Sequence, residues 1–119
     1  MADEIVRNPG IYLRHRVIEL FGVDAKLLDD RHAIEEKLSN VTKTLNLIIW
    51  NIFTHKFSLG VTSLAVISDS HIAIHTWPEY GYVHLDVITC SEKANWDLLM
   101  PTIEQEFAPK HTRYKNLDY

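Results

Sequence analysis

The side chains able to form covalent bonds or move protons crowd into one stretch, Ser68 to Cys90, with the sequence SDSHIAIHTWPEYGYVHLDVITC. It holds the dipeptide Asp69-Ser70, the histidines His71, His75 and His84, the carboxylate Glu79, the indole Trp77 and the chain's one cysteine, Cys90. A hydroxyl or thiol beside an imidazole is the raw material of nucleophilic and acid–base chemistry, provided the fold brings them together. His71 to Trp77 and Tyr82 to Thr89 have strand character and flank Pro78-Glu79-Tyr80-Gly81, whose proline presets φ and whose glycine ends a four-residue turn. The stretch is therefore a predicted β-hairpin. With those four residues as the loop, Trp77 pairs with Tyr82, His75 with His84, Ala73 with Asp86 and Ser70 with Thr89, which sets Cys90 beside Asp69 and Ser70. On residue type alone Cys90 is either a buried small hydrophobe or a reactive thiol. The triplet His71, His75 and His84 lacks the spacing of a closed metal site, so no metal is expected.

The elements that must position this hairpin follow from the rest of the chain. Ile11 to Phe21, ending at Gly22, reads as a first strand, and the consecutive Arg14, His15 and Arg16 argue that it meets a polar site or a sheet edge, the edge being the plainer reading. Ile34, Leu38, Val41 and Leu45 recur at helical spacing behind Asp29 and Asp30, either of which can cap the helix. Its other side, with Glu35, Glu36, Lys37 and Lys43, is a solvated face. Asn46 to Lys56 and Gly60 to Ser68 are strands joined by Phe57-Ser58-Leu59-Gly60, short enough for antiparallel pairing. Beyond the hairpin, Ser91 is the expected cap of a second helix carrying Trp96, Met100, Ile103 and Phe107 on one face, kinked at Pro101 unless its regular part starts there. His111 to Leu117 is a final edge strand. This order predicts an α+β fold: a two-layer sandwich of a mainly antiparallel sheet with two helices on one face.

A chain of 119 residues, 46% hydrophobic, can bury one core, so a single domain over 1–119 is expected. Its net charge of −4, with both signs interspersed, gives no basic face for nucleic acid, and no apolar run reaches membrane-spanning length. A small-molecule substrate is the expected partner. Met1-Ala2-Asp3-Glu4 precedes no apolar segment, so no secretory signal is expected and the cytoplasm is the default compartment. One cysteine cannot form an internal disulfide.

The spacing Asp69-Ser70-His71, then Ile74-His75-Thr76-Trp77-Pro78-Glu79-Tyr80-Gly81-Tyr82, then Asp86-Val87-Ile88-Thr89-Cys90 resembles the short prokaryotic S-adenosylmethionine decarboxylases. The likeness is close over about two dozen positions and looser elsewhere. It implies that the chain cuts itself between Asp69 and Ser70, leaving a β chain 1–69 and an α chain 70–119 whose first residue, from Ser70, is a pyruvoyl group. That covalent cofactor forms a Schiff base with the substrate amine and accepts electrons as carbon dioxide leaves. The resemblance further implies roles for His75 as processing base, Thr62 as the hydroxyl that assists at the attacked carbonyl, and Cys90 as the proton donor after decarboxylation. Glu79 is placed to hold a ribose diol and Trp77 to face the sulfonium or adenine. Read alone, Thr62 is a strand residue, His75 a partly buried one, Glu79 a turn carboxylate and Trp77 a core indole.

The product implied is the aminopropyl donor for spermidine and other polyamines. The chain also departs from the family: Asp69 stands where glutamate is usual, Thr62 where serine is, Ser91 where glycine is common, and Phe57-Ser58-Leu59-Gly60 lacks the usual proline and glutamine. These differences keep two alternatives in view, an arginine or other amino-acid decarboxylase of the same family, and a non-catalytic paralogue. Finally, Ser70 and His75 are five strand steps apart, roughly 16 Å at about 3.3 Å per residue, and point to opposite faces. They form two clusters, Ser70 with Cys90 and Thr62 with His75, so a homodimer is expected in which each chain completes the other's site and the sheets pack into a larger sandwich; the alternative is a bulge near Ser70 that folds the strand back and lets His75 act in its own chain.

Overall fold

Ile34, Leu38 and Val41, at helical spacing, are all fully buried, and the helix that carries them, Arg31–Thr44, covers one face of a β-sheet. Its N-cap is Asp30, whose carboxylate accepts the Ala33 N–H at 3.0 Å. The computed structural model describes residues 9–118. In chain order the elements are β1 (Arg14–Phe21), α1 (Ala25–Leu28), α2 (Arg31–Thr44), β2 (Ile49–Lys56), β3 (Val61–Ile67), β4 (Ser70–Trp77), β5 (Tyr82–Thr89), α3 (Leu99–Phe107) and β6 (His111–Asp118). The six strands form one sheet in the order β2-β3-β4-β5-β1-β6, and every neighbouring pair is antiparallel.

Alternation decides which face is covered. Ile18 and Leu20 of β1, Val61, Ala65 and Ile67 of β3, Ile72 and Ile74 of β4, and Val83, Leu85 and Val87 of β5 share one core with the helices. The opposite face carries His15, Glu19, Thr62, Val66, His71, His75, Trp77, His84 and Asp86 by the same alternation and, among the described residues, has no helix on it. The expected two-layer α+β sandwich is what forms.

Two local expectations fail for identifiable reasons. β1 is an interior strand, flanked by β5 and β6, although Arg14, His15 and Arg16 read as an edge. Its polar side chains find long-range partners instead: His15 bonds to Asp86 of β5, and the Arg16 guanidinium lies 4.9 Å from the centre of the Trp96 ring. The last helix is neither capped by Ser91 nor kinked. Ser91 Oγ accepts the Lys93 N–H at 3.3 Å within a preceding turn, a short 3₁₀ turn spans Trp96–Leu98, and α3 begins at Leu99. Pro101 then falls in the first turn, where a missing N–H breaks no helical bond.

The outermost strand β6 is tied to the sheet by charge. Glu19 accepts from the Arg113 guanidinium at 2.6 Å and from the Tyr82 hydroxyl at 2.6 Å. The Arg113 bond first and the Tyr82 bond second hold the Glu19 carboxyl down at about 2, while burial, and then the carboxylate, push the Tyr82 phenol up to about 12. A carboxyl depressed on folding stabilises above its unfolded value, here 4.5, and that contribution is lost as pH falls towards about 2. Amide exchange in β6, measured relative to β3, is therefore expected to rise selectively across that acid window, and Glu19→Gln should raise it already at neutral pH. Unchanged β6 protection in Glu19→Gln would contradict the anchor.

Candidate active site

The β4–β5 ladder has the register predicted from the turn: Trp77 opposite Tyr82, His75 opposite His84, Ala73 opposite Asp86 and Ser70 opposite Thr89. At the open end of that ladder the chain turns from β3 into β4 through only Ser68 and Asp69. The turn forces Asp69 to φ 66° and Ser70 to φ 152°, backbone conformations that non-glycine residues adopt at a cost of about 1–3 kcal/mol each. The strain is held by neighbours. Thr89 Oγ1 donates to the Ser68 carbonyl at 3.3 Å, Ser68 and Ile48 exchange bonds of 2.8 and 3.1 Å, and the Asp69 carbonyl accepts the Cys90 N–H at 3.3 Å. The half-buried Cys90 thiol lies 3.9 Å from that same carbonyl. Asp69, Ser68 and Cys90 line an open cleft of about 510 Å³ with Asn46, Ile48 and Lys93.

This end of the sheet thus sets a serine hydroxyl directly after a strained peptide whose carbonyl already faces a backbone donor. A donor in that position stabilises negative charge on the oxygen if the carbonyl is attacked. The Cys90 N–H went unassigned in the sequence reading, although the hairpin register was sufficient to bring it there.

The second group lies toward the other end of β4. Thr62 pairs with His75 across the β3–β4 ladder, and Thr62 Oγ1 and His75 Nδ1 share a hydrogen bond of 3.1 Å. Trp77, two residues on, packs its ring 6.4 Å from His75 and 5.3 Å from Tyr82. Glu79 is exposed on the 3₁₀ turn Pro78–Tyr80. These four residues line a cavity of about 340 Å³ together with Phe57 and Leu59, two lining residues that the sequence reading did not name as site residues. Their exposure and their place in a connecting loop gave no periodic signal. Burial first, and the neighbouring His84 second, push the His75 imidazole below its ordinary 6.5, with Asp86 opposing, so His75 is neutral at physiological pH and available as a base.

Within one chain these groups stay apart. Ile67 pairs with Ser70 at one end of the β3–β4 ladder and Thr62 with His75 at the other, and alternation puts Ser70 on the helix-side set with Ile72 and Ile74 while His75 belongs to the open face. Between them on that open face, Asp86 bonds to His15 and lies 3.7 Å from His71 Nε2. Among the described residues no three His, Cys, Asp or Glu side chains converge as a metal site, and no helix is long and apolar enough to cross a membrane.

An antiparallel sheet covered by helices on one side is a fold that known proteins share. The family described as S-adenosylmethionine decarboxylase matches residues 14–118. An S-adenosylmethionine decarboxylase proenzyme of Methanococcus maripaludis is 42% identical over 105 residues, covering 87% of this chain and 86% of its own length. One from Acetivibrio thermocellus is 43% identical over 100 residues, covering 82% and 80%. The crystal structure of the adenosylmethionine decarboxylase from Aquifex aeolicus superposes with a TM-score of 0.82 at 31% identity, over 90% of this chain and 89% of that one. The chain belongs to the S-adenosylmethionine decarboxylase family.

The lowered His75 value is directly measurable. In an NMR titration its ring protons are expected to shift with a midpoint below 6.5, and Thr62→Val should leave that midpoint below 6.5, because burial and His84 set it. A midpoint at or above 6.5 would contradict the lowering by burial and His84.

Proposed function

We propose that this chain is a self-processing, pyruvoyl-dependent decarboxylase of S-adenosylmethionine. The observation that carries the reading is the junction itself: in a member of this family, Asp69 and Ser70 both hold positive φ while the Cys90 N–H rests on the Asp69 carbonyl. Attack of the Ser70 hydroxyl on that carbonyl converts the amide to an ester, with the Cys90 N–H stabilising the oxyanion. Loss of the residue-70 Cα proton to His75 expels the Asp69 carboxylate, and water then replaces the enamine nitrogen, releasing ammonia. The products are a β chain 1–69 and an α chain 70–119 that starts with a pyruvoyl group. That group supplies an electron sink for the loss of carbon dioxide. Glu79 and Trp77 hold the nucleoside end of the substrate at the cavity they line, Thr62 orients His75 through their 3.1 Å bond, and the Cys90 thiol returns the proton to the substrate carbon. The decarboxylated product serves polyamine synthesis.

The same reading requires two chains. His75 and Ser70 lie about 16 Å apart along a regular strand, so a homodimer packed through the helix-free sheet faces is read as bringing one chain's Thr62 and His75 to the strained Asp69-Ser70 backbone at the end of the other's sheet, with Cys90 beside it. Exposed Phe53, Val66 and Trp77 on that face, at 56%, 39% and 40% of full exposure, support burial against a second copy.

Denaturing mass spectrometry of the purified protein should find the two pieces 1–69 and 70–119, the second without a free amine, and Ser70→Ala should remain whole. Carbon dioxide should be released from carboxyl-labelled S-adenosylmethionine and not from labelled arginine. A single intact mass after long incubation would remove the processing step, and release from arginine alone would assign the other substrate.

A further inference from the structure

The cavity beside His75 has one wall that packing alone does not hold. Phe57 and Leu59, on the connection between β2 and β3, are 49% and 48% exposed, so little apolar burial fixes their position. What fixes the connection is polar. Asp29, at the C-terminal cap of α1, directs Oδ1 to the Gly60 N–H at 2.8 Å and to the Lys56 ammonium at 2.8 Å. Lys56 in turn donates to the carbonyls of Phe57 and Ser58, and the Phe57 N–H closes the turn on the Gly60 carbonyl at 2.9 Å. One carboxylate therefore gathers both ends of the loop.

The node continues into β4. Thr76 Oγ1 donates to the Leu28 carbonyl at 2.6 Å and accepts the Val61 N–H at 2.9 Å, and Thr76 is buried between His75 and Trp77 in sequence. Gly60 has φ +102°, and a Cβ there would stand 2.6 Å from the Thr76 carbonyl oxygen, so the loop backbone is pressed against β4 just where the cavity opens. Asp29 itself is held by bonds on both sides: its N–H bonds to the Ala25 carbonyl at 3.2 Å, and the next residue, Asp30, caps α2. The Gly60 N–H first and Lys56 second keep the Asp29 carboxyl below its ordinary 3.8, so the node is intact at and above that pH and weakens only as pH falls further.

We propose that Asp29, with Lys56 as its counter-ion, is a positioning residue for the cavity: it fixes the Phe57–Gly60 wall against Thr62, His75, Trp77 and Glu79 and so sets how tightly substrate is held there. This rests on reading the cavity as the substrate pocket. Asp29 and Lys56 take no part in bond making; their effect belongs to binding and not to self-cleavage or turnover.

The test uses the full-length protein and the variants Asp29→Ala, Asp29→Asn, Lys56→Met and the double variant Asp29→Ala/Lys56→Met, each with two readouts. The first is hydrogen exchange of the Phe57–Val61 amides in the absence of any ligand. The second is steady-state decarboxylation of S-adenosylmethionine. Asp29→Ala is expected to speed exchange at Gly60 and to raise KM about tenfold with kcat within about twofold and self-cleavage unchanged. Lys56→Met should do the same to a smaller degree, and the double variant should be no worse than Asp29→Ala, because both act through one node. Unchanged exchange, an unmoved KM, or a loss confined to kcat and cleavage would each overturn the proposal. If Asp29→Ala does not fold, Asp29→Asn and Lys56→Met decide by the same criteria. Were the wild-type protein to release no carbon dioxide, the proposed function would fall, and the exchange readout would still judge whether Asp29 holds the wall.

Discussion

The register of β4 on β5 is the constraint on which the rest of the molecule depends. The 3₁₀ turn Pro78–Tyr80 and the left-handed Gly81, φ 59°, fix it at one end, and the Val23 N–H bonded to the Gly81 carbonyl at 3.0 Å ties the turn to the chain leaving β1. From that turn outward every pair is determined, ending with Ser70 against Thr89 and hence the Cys90 N–H on the Asp69 carbonyl. A slip of one residue would move Ile72, Ile74, Val83 and Leu85 from the core to the open face and detach Cys90 from the junction at the same time. Packing and site geometry are specified by the same pairing.

That coupling explains what could be read in advance. The hairpin was legible because its turn chemistry and its alternation are local, and α2 because Ile34, Leu38 and Val41 repeat with the helical period over two turns. β1 was misplaced because the partners of His15 and Arg16, namely Asp86 and Trp96, lie far along the chain, and no periodicity announces them. The start of α3 was misjudged for the opposite reason: Trp96 fits the apolar stripe but belongs to a 3₁₀ turn, which leaves Pro101 harmless in the first helical turn. Phe57 and Leu59 escaped notice as lining residues because their positions rest on Asp29 and Lys56, one of them in a distant loop between helices. For β1 and for Phe57 and Leu59 the missing information was a tertiary contact; for α3 it was a local change of helix type.

The two groups of reactive residues differ physically as well as in place. The junction group is strained and bonded through backbone atoms, with Cys90 only half buried at the end of the sheet. In the other group His75 is partly buried and bonded to Thr62 through side chains, while Trp77 and Glu79 stay exposed, on a sheet face that no described helix covers. On the proposed reading, the strain stored at Asp69 and Ser70 is released only when a neutral imidazole from elsewhere reaches the residue-70 Cα proton, which makes assembly a condition for processing.

That condition is tested most directly by mixing. Ser70→Ala chains and His75→Ala chains are prepared separately, then combined under conditions in which subunit exchange is confirmed. The account predicts that the His75→Ala chains, uncut alone, are cleaved between Asp69 and Ser70 once paired with Ser70→Ala chains, which bring an intact Thr62 and His75. Persistence of the intact His75→Ala mass despite confirmed exchange would contradict it.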